Sequence, residues 1–173
     1  MNIVLCGASC TGKSTIARLV AENLKCDVRG CGEIVRMTAK QLGVKLAELP
    51  PEIHWSIDAD TLMFANEKNR LKVIEGRFLR YVLANSVEPT FVIELAASNN
   101  ARCLRWETRT GKPFMKEDLL RLDEEDRIFC RSMYAEVVAI ESSVCLDTSD
   151  LSVEECQEIV LNAIRSCTCV RCD

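Results

Sequence analysis

The sequence contains no run of about 18 apolar residues, so it offers no segment that reads as a membrane span. Its opening, Met1-Asn2-Ile3-Val4-Leu5, lacks a basic region and holds only three consecutive aliphatic residues, so it does not read as a secretory signal. Positive charge is not in excess. The 22 Lys and Arg stand against 26 Asp and Glu, a net charge of −4, which suits neither general nucleic-acid binding nor an anionic membrane surface. No internal repeat, low-complexity tract or Gly/Ser linker divides the 173 residues, a length that fits one domain with a small inserted lobe. With 48% hydrophobic and 28% charged residues, the chain is neither disordered nor collagen-like nor a long coiled coil. These absences leave a soluble, cytoplasmic chain as the expectation. Cysteine, in contrast, is plentiful: 11 residues, an odd number without a signal, which argues against a secreted disulfide scaffold. Most lie among aliphatic residues, where a free thiol behaves as a small hydrophobe.

Short apolar runs alternate with helical patterns. Ile3-Val4-Leu5-Cys6 reads as a buried strand bounded by Gly7, and from Ser14 the residues Ile16, Ala17, Leu19, Val20 and Leu24 share one helical face. Asp27-Val28 reads as a second short strand before a Gly30/Gly32 turn. A helix follows from Glu33 to Leu42, which Gly43 ends. Pro50-Pro51 breaks the chain ahead of a helix from Pro51 to Lys68. Further strands are expected at 72–75, 90–95 and 144–147. Helices are expected at 78–84, 100–108 and, long and charged, at 116–142. Ser152-Val-Glu-Glu155 is a capping box that opens a last helix running to about Arg165. This alternation implies an α/β fold, a parallel sheet with helices on both faces.

The strongest local signal is Gly7-Ala8-Ser9-Cys10-Thr11-Gly12-Lys13-Ser14, followed by Thr15. It matches G-x-x-x-x-G-K-[ST] and falls between a predicted strand and a predicted helix, the context this phosphate-binding motif requires. Glycines let backbone N–H groups converge on phosphate oxygens, and the helix N-terminus adds a favourable dipole. Lys13 brings a compact positive charge to the β- and γ-phosphates, and Ser14 offers a hydroxyl to Mg²⁺. The motif implies a nucleoside triphosphate such as ATP without saying what is done with it. A GTPase-like switch would need an N-K-x-D base-reading motif, and none is present. An ATPase motor would need an aliphatic run ending in Asp-Glu, and none is obvious.

Arginine placement favours a small-molecule kinase. Arg36 lies on the helix after Gly32-Glu33, and Arg77 follows a strand. Arg102, Arg105 and Arg109 fall at i, i+3 and i+7 and so share a helix face, while Arg127 and Arg131 form an i, i+4 pair. A phosphoryl-transfer enzyme must offset the charge of two phosphates and of the group passing between them, and planar guanidinium does this well. Each arginine taken alone is equally compatible with an ordinary solvated ion pair.

Taken in order, these segments resemble the cytidylate kinases of the nucleoside monophosphate kinases, in their short archaeal-type form, over about residues 2–165. Cys31-Gly32-Glu33-Ile34-Val35-Arg36 is similar to the segment whose arginine grips the acceptor phosphate. Pro51-Glu52-Ile53 with Asp58 resembles the acceptor-lobe stretch, and Glu75-Gly76-Arg77 matches a second acceptor contact. Arg102-Cys-Leu-Arg105 and Arg109-Thr-Gly111-Lys112 resemble the arginine-rich lid, and Asp126-Arg127 with Arg131 the segment that closes over the transferring group. The resemblance implies a P-loop kinase fold, with a five-stranded parallel sheet flanked by helices. It implies a helical acceptor lobe at about 33–70 and a lid at about 101–131, within one domain ending in a cysteine-containing tail at 166–173. It further implies transfer of phosphate from ATP, with Mg²⁺, to a nucleoside monophosphate such as CMP or dCMP. Arg36, Asp58 and Arg77 would bind the acceptor, and Lys13, Arg102, Arg109, Arg127 and Arg131 would carry the transfer. Two other readings remain open: a P-loop kinase for a different small acceptor, and a nucleotide-binding regulatory protein without turnover.

Several residues support more than one reading. Asp58 and Asp60 could accept from an exocyclic amine such as that of cytosine, or sit on a helix surface. His54, Trp55 and Trp106 could contact a base or simply pack. Glu94 interrupts an apolar strand, as an edge residue or as an indirect partner of Mg²⁺. Cys167, Cys169 and Cys172 are one ligand short of a tetrahedral zinc site, and the only histidine, His54, is far away in sequence. The tail therefore reads first as a frayed terminus, and second as a metal or intermolecular disulfide site.

Overall fold

The structure, a computed structural model, describes residues 1–169. Five strands, β1 (Asn2–Cys6), β2 (Asp27–Gly30), β3 (Lys72–Glu75), β4 (Thr90–Ala96) and β5 (Val144–Asp147), form one sheet in the order β2-β3-β1-β4-β5. Every neighbouring pair is parallel. All of β1 is buried, as expected of a continuous apolar run covered on both faces. Seven helices complete the described chain: α1 (Lys13–Leu24), α2 (Cys31–Leu42), α3 (Pro51–Asn66), α4 (Leu79–Val82), α5 (Asn99–Thr110), α6 (Lys116–Met133) and α7 (Val153–Cys169).

Side-chain alternation along the strands divides the core in two. Ile3, Leu5, Ile93 and Leu95 pack against Ile16 and Val20 of α1 and Val160 and Ile164 of α7. Val4, Cys6, Ile74 and Val92 face the other way, onto Ala65 of α3 and onto Leu79 and Leu83 in and after α4. The first apolar segment thus becomes the central strand, with β3 on one side and β4 on the other. The crevice at the carboxyl end of β1 lies where the strand order reverses, the place where α/β sheets bind ligands.

One charged residue holds this arrangement from inside. Lys72, fully buried at the start of β3, donates from Nζ to the carbonyls of Phe64, Ala65 and Glu67 at 2.7, 3.0 and 2.5 Å. It caps the C-terminus of α3, where unpaired carbonyls and the helix dipole favour a cation. Strand periodicity alone does not show that role.

The structure alters four expectations. The long charged helix ends at Met133 rather than at residue 142. Tyr134 leaves it with φ −129°, and the chain then binds elsewhere: Ile140 N–H donates to Arg80 O at 2.9 Å and Ser143 N–H to Val92 O at 2.8 Å. These bonds draw residues 134–143 down to the sheet and override the helical pattern. Gly30 closes β2 instead of opening a turn. β4 lies between β1 and β5, so Glu94 is not on an edge strand. The last helix continues past Arg165 to Cys169, and Cys167 packs partly buried against the core, so it does not belong to a frayed terminus. Cys172 lies outside the described residues. Among the described residues no group of three or more His, Cys, Asp or Glu could hold a metal, and no helix is long and apolar enough to cross a membrane.

Candidate active site

The loop between β1 and α1 is shaped by its backbone. Gly7 (φ +129°), Cys10 (φ +65°) and Gly12 (φ +94°) all take left-handed conformations. A Cβ at Gly7 would collide with the Leu95 carbonyl oxygen of β4, so glycine is required there by both conformation and space. Gly12 forms the N-cap of α1 without a side-chain cap bond, which leaves the helix's first N–H groups available to an anion. Thr11 Oγ1 donates to Ala8 O at 3.0 Å and tightens the turn. From below, Thr148 Oγ1 donates to Thr11 O at 3.1 Å and lies 3.0 Å from Ala96 O, tying the loop to the turn after β5.

Lys13 is only 8% exposed. Its Nζ donates to Ala8 O at 2.5 Å and lies 3.5 Å from Thr11 Oγ1, so the amine curls back under the loop. Burial lowers its pKa to about 8; nearby Glu75 works against that shift and Arg77 adds to it. Next to it, Ser14 Oγ donates to Glu75 Oε1 at 2.9 Å. Glu75, 4% exposed, ends β3 beside the P-loop strand. A hydroxyl and a carboxylate meeting at the end of a phosphate-binding loop form the oxygen donor set that suits Mg²⁺, which takes few protein ligands alongside phosphate oxygens. Thr15 is exposed on α1.

The arginines separate into distinct environments. Arg77, Arg127 and Arg131 line one cleft of about 680 Å³ together with Gly7 and Ala8. Within it Arg77 pairs with Asp126, and Arg127 pairs with Glu124 on its own helix at 2.8 and 2.7 Å. Arg102 is different: it is 5% exposed and serves as a brace. Its Nε donates to Ser9 O at 2.7 Å, and its two terminal nitrogens grip both oxygens of Asp123 on α6 at 2.8 and 2.6 Å. Arg105 donates to Thr148 Oγ1 at 2.9 Å and to Cys10 O at 3.4 Å. Arg109, about one turn further along α5, is exposed with its guanidinium 4.8 Å above the Trp106 ring. That ring stacks on Phe114 at 4.2 Å. The shared helix face therefore reaches the loop at Arg102 and Arg105 but extends beyond it at Arg109. Arg36 is exposed on α2, its guanidinium beside Gly32, and does not line the cleft.

On α3, Asp58 Oδ2 accepts from Tyr134 Oη at 2.7 Å. Burial raises the Asp58 pKa, against the Tyr134 bond, which lowers it; burial and Asp58 both hold the tyrosine in its protonated form. Tyr134 lines the cleft and stacks on Tyr81 (5.4 Å, 15°), whereas Asp58 stands behind it and Asp60 is exposed. His54 packs edge-on against Phe129 at 4.8 Å, and Trp55 is exposed. The sequence reading did not anticipate the partnerships of Glu75, Asp123 and Thr148, nor the Arg80–Glu94 pair in the cleft. Of these, Glu75 and Glu94 left a sequence trace, the first as an acid that closes the apolar run Val73-Ile74 and the second as an acid inside the apolar run 90–95.

No protein-family model matches the chain. Similarity to curated proteins is nevertheless extensive. The chain is 33% identical to a protein named cytidylate kinase from Pyrobaculum neutrophilum, over 94% of this chain and 91% of that protein. Identity is 29% to a cytidylate kinase from Methanocaldococcus jannaschii, over 95% and 97%. A cytidylate kinase from Methanococcus aeolicus is 38% identical over 63% of this chain and 64% of its own length. Among solved structures, a gluconokinase from Sinorhizobium meliloti superposes with a TM-score of 0.67 at 16% identity, covering 95% of this chain and 91% of that one. A shikimate kinase from Acinetobacter baumannii gives 0.61 at 18%, covering 95% and 93%. At such identities these structures establish the fold alone, that of the P-loop kinases.

Proposed function

This chain belongs to the cytidylate kinase family and is a phosphotransferase, and on that premise we propose that it transfers phosphate from ATP to a nucleoside monophosphate, CMP or dCMP. The observation that carries the reading is the cleft in which the phosphate loop at Gly7 and Ala8 faces three arginines from other elements, Arg77, Arg127 and Arg131. Phosphoryl transfer needs little covalent chemistry from a protein; it needs alignment and charge.

In this reading, the N–H groups of residues 7–15 wrap the donor phosphates. Lys13 leaves Ala8 O for the β- and γ-phosphates, whose charge keeps it protonated. Ser14 would hold Mg²⁺ directly, with Glu75 behind it, and the bound ion would supply positive charge across the donor phosphates. Arg77 exchanges Asp126 for the acceptor phosphate, and Arg36 approaches the same phosphate from α2. Asp58 acts through Tyr134, whose ring it fixes in the cleft wall. Arg127 and Arg131 offset charge on the group in transit as an acceptor oxygen bonds to the γ-phosphorus and the bond to the ADP oxygen breaks. Arg102 holds the loop to α6, and Arg109 belongs to the outer lid. The helical segment 33–70 and the segment 101–131 would close over the substrates and exclude water, which otherwise competes as acceptor. Such an enzyme works as a monomer in the cytoplasm, where nine described cysteines can remain free.

The test is ADP release from Mg-ATP with CMP, dCMP, UMP, AMP, GMP and dTMP as acceptors, for the wild type, Lys13→Ala and Arg77→Ala. Turnover confined to CMP and dCMP and reduced by about a hundredfold or more in both variants is expected. ATP binding with no nucleotide accepted would favour the kinase reading with another small acceptor. ATP binding without turnover of any acceptor would favour a regulatory protein.

A further inference from the structure

The cleft extends past the phosphate loop to a polar pair that the transfer chemistry does not use. Beyond Gly7 and Ala8 its floor is formed by Cys6, Arg80 and Glu94, and its wall by Tyr81 and Tyr134. Glu94 stands in register with Cys6 on one side and Cys145 on the other, in the interior of the sheet. It shares strand parity with Val92 and therefore faces the α3/α4 side, away from α1 and its phosphate-binding N-terminus.

The hydrogen bonds of this pair are unevenly distributed. Glu94 Oε2 accepts from Arg80 Nη1 at 3.0 Å and from Ser142 Oγ at 2.6 Å. Arg80 also donates from Nε to Ile140 O at 2.6 Å. These three bonds fix the pair in place. Among the described residues, Glu94 Oε1 takes no hydrogen bond and Arg80 Nη2 makes none, and the Glu94 side chain is 36% exposed to the cleft. A held pair is thus left with one free acceptor beside one free donor. The stacked rings of Tyr81 and Tyr134 supply an aromatic wall next to it.

Resting on the nucleoside monophosphate kinase reading above, we propose that Glu94 and Arg80 read the base of the acceptor: Oε1 accepts from an exocyclic amine and Nη2 donates to the adjacent ring nitrogen or carbonyl, the edge presented by an aminopyrimidine. Carboxylates accept from the cytosine amino group in this way elsewhere in nucleic-acid recognition. Asp58 is less suited to the task, because Tyr134 already occupies its Oδ2 and it stands behind that ring. A 4-keto pyrimidine offers an acceptor where Glu94 needs a donor, so the site discriminates against uridine nucleotides by setting the carboxylate against a carbonyl and leaving it unpaired once the base covers it.

A thermodynamic cycle tests this. Wild type and Glu94→Gln are assayed with CMP and with the monophosphate of the pyrimidin-2-one riboside, which lacks only the 4-amino group. UMP is a third acceptor, and folding of each variant is checked by thermal melting. The wild type is expected to prefer CMP over the 4-deamino analogue by about tenfold or more in kcat/KM. Glu94→Gln should shrink that preference to about twofold, raise UMP relative to CMP and leave KM for ATP unchanged. Glu94→Asp keeps the charge beside Arg80 but withdraws it by one methylene, and should lower the same preference about threefold or more. Equal use of CMP and the analogue by the wild type would overturn the proposal whatever the variants do. So would a preference that both variants leave intact. Absence of turnover with every nucleoside monophosphate would instead remove the acceptor reading beneath it, and this inference with it.

Discussion

Lys13 is held at a cost until phosphate arrives. The unfolded chain keeps its proton to the ordinary 10.5, whereas burial lowers the folded value to about 8. Between those two values the folded state binds fewer protons than the unfolded state, so stability rises with pH across that window. Below about pH 8 both states are protonated, and the folded protein bears the full penalty, on the order of 3 kcal/mol. Without nucleotide, Lys13→Met should therefore be more stable than wild type at about pH 7, and the advantage should shrink steadily towards about pH 10. Urea denaturation at both pH values measures it; an advantage that stays constant with pH would show that the lysine is not desolvated as described. In the proposed function, bound phosphate would reverse the effect by returning an anion to the ammonium. The motif identified this residue from sequence spacing, but its resting partner could not be read there, because Ala8 O becomes available only through the fold of the loop.

Helices α5 and α6 show how one residue type can serve opposite ends. Arg102 and Arg127 look alike in the sequence, each one of several arginines on a charged amphipathic helix. Arg102 is buried and holds both the loop backbone and Asp123, so Arg102→Ala should cost about 2 kcal/mol or more of stability, leaving a partly desolvated carboxylate without its partner. Arg127 pairs with Glu124 at the surface, so Arg127→Ala should change stability by less than about 0.5 kcal/mol while lowering kcat sharply. Denaturant midpoints and steady-state kinetics on the two variants separate the roles; equal stability losses would contradict this division. Helical periodicity placed α5 and α6 within a few residues at their starts and put Arg102 and Arg105 on a common face. It could not show which end of that face meets the loop. It also overran α6 at Met133, because the bonds from Ile140 to Arg80 and from Ser143 to Val92 join segments far apart in sequence. Glu94 was visible as an anomaly in an apolar strand, but its meaning depends on Arg80 and Ser142, which only the fold brings beside it.

Across the whole molecule, burial is uneven. The central strands β1, β3 and β4 carry the fully buried residues Ile3, Val4, Leu5, Val73, Ile74, Val92 and Ile93. Helix α2 buries only Ala39, and Met37, Leu42, Leu46, Trp55 and Met63 around it stand exposed. Amide hydrogen exchange should therefore find the slowest protons in β1, β3 and β4 and much faster exchange in α2, where opening exposes little apolar surface. Protection in α2 equal to that of β1 would mean that this helix is as firmly docked as the sheet. The parallel α/β class was legible from alternating strand and helix patterns; the strand order was not, since pairing partners are set by crossovers that leave no local signature. That order has a consequence for how the protein is made. The phosphate loop is synthesised ahead of the residue that supports it: Thr11 O receives its hydrogen bond from Thr148, 137 positions later. A growing chain thus carries the motif long before it carries the support beneath it, and the loop reaches its final shape only once β5 and the turn after it have been made.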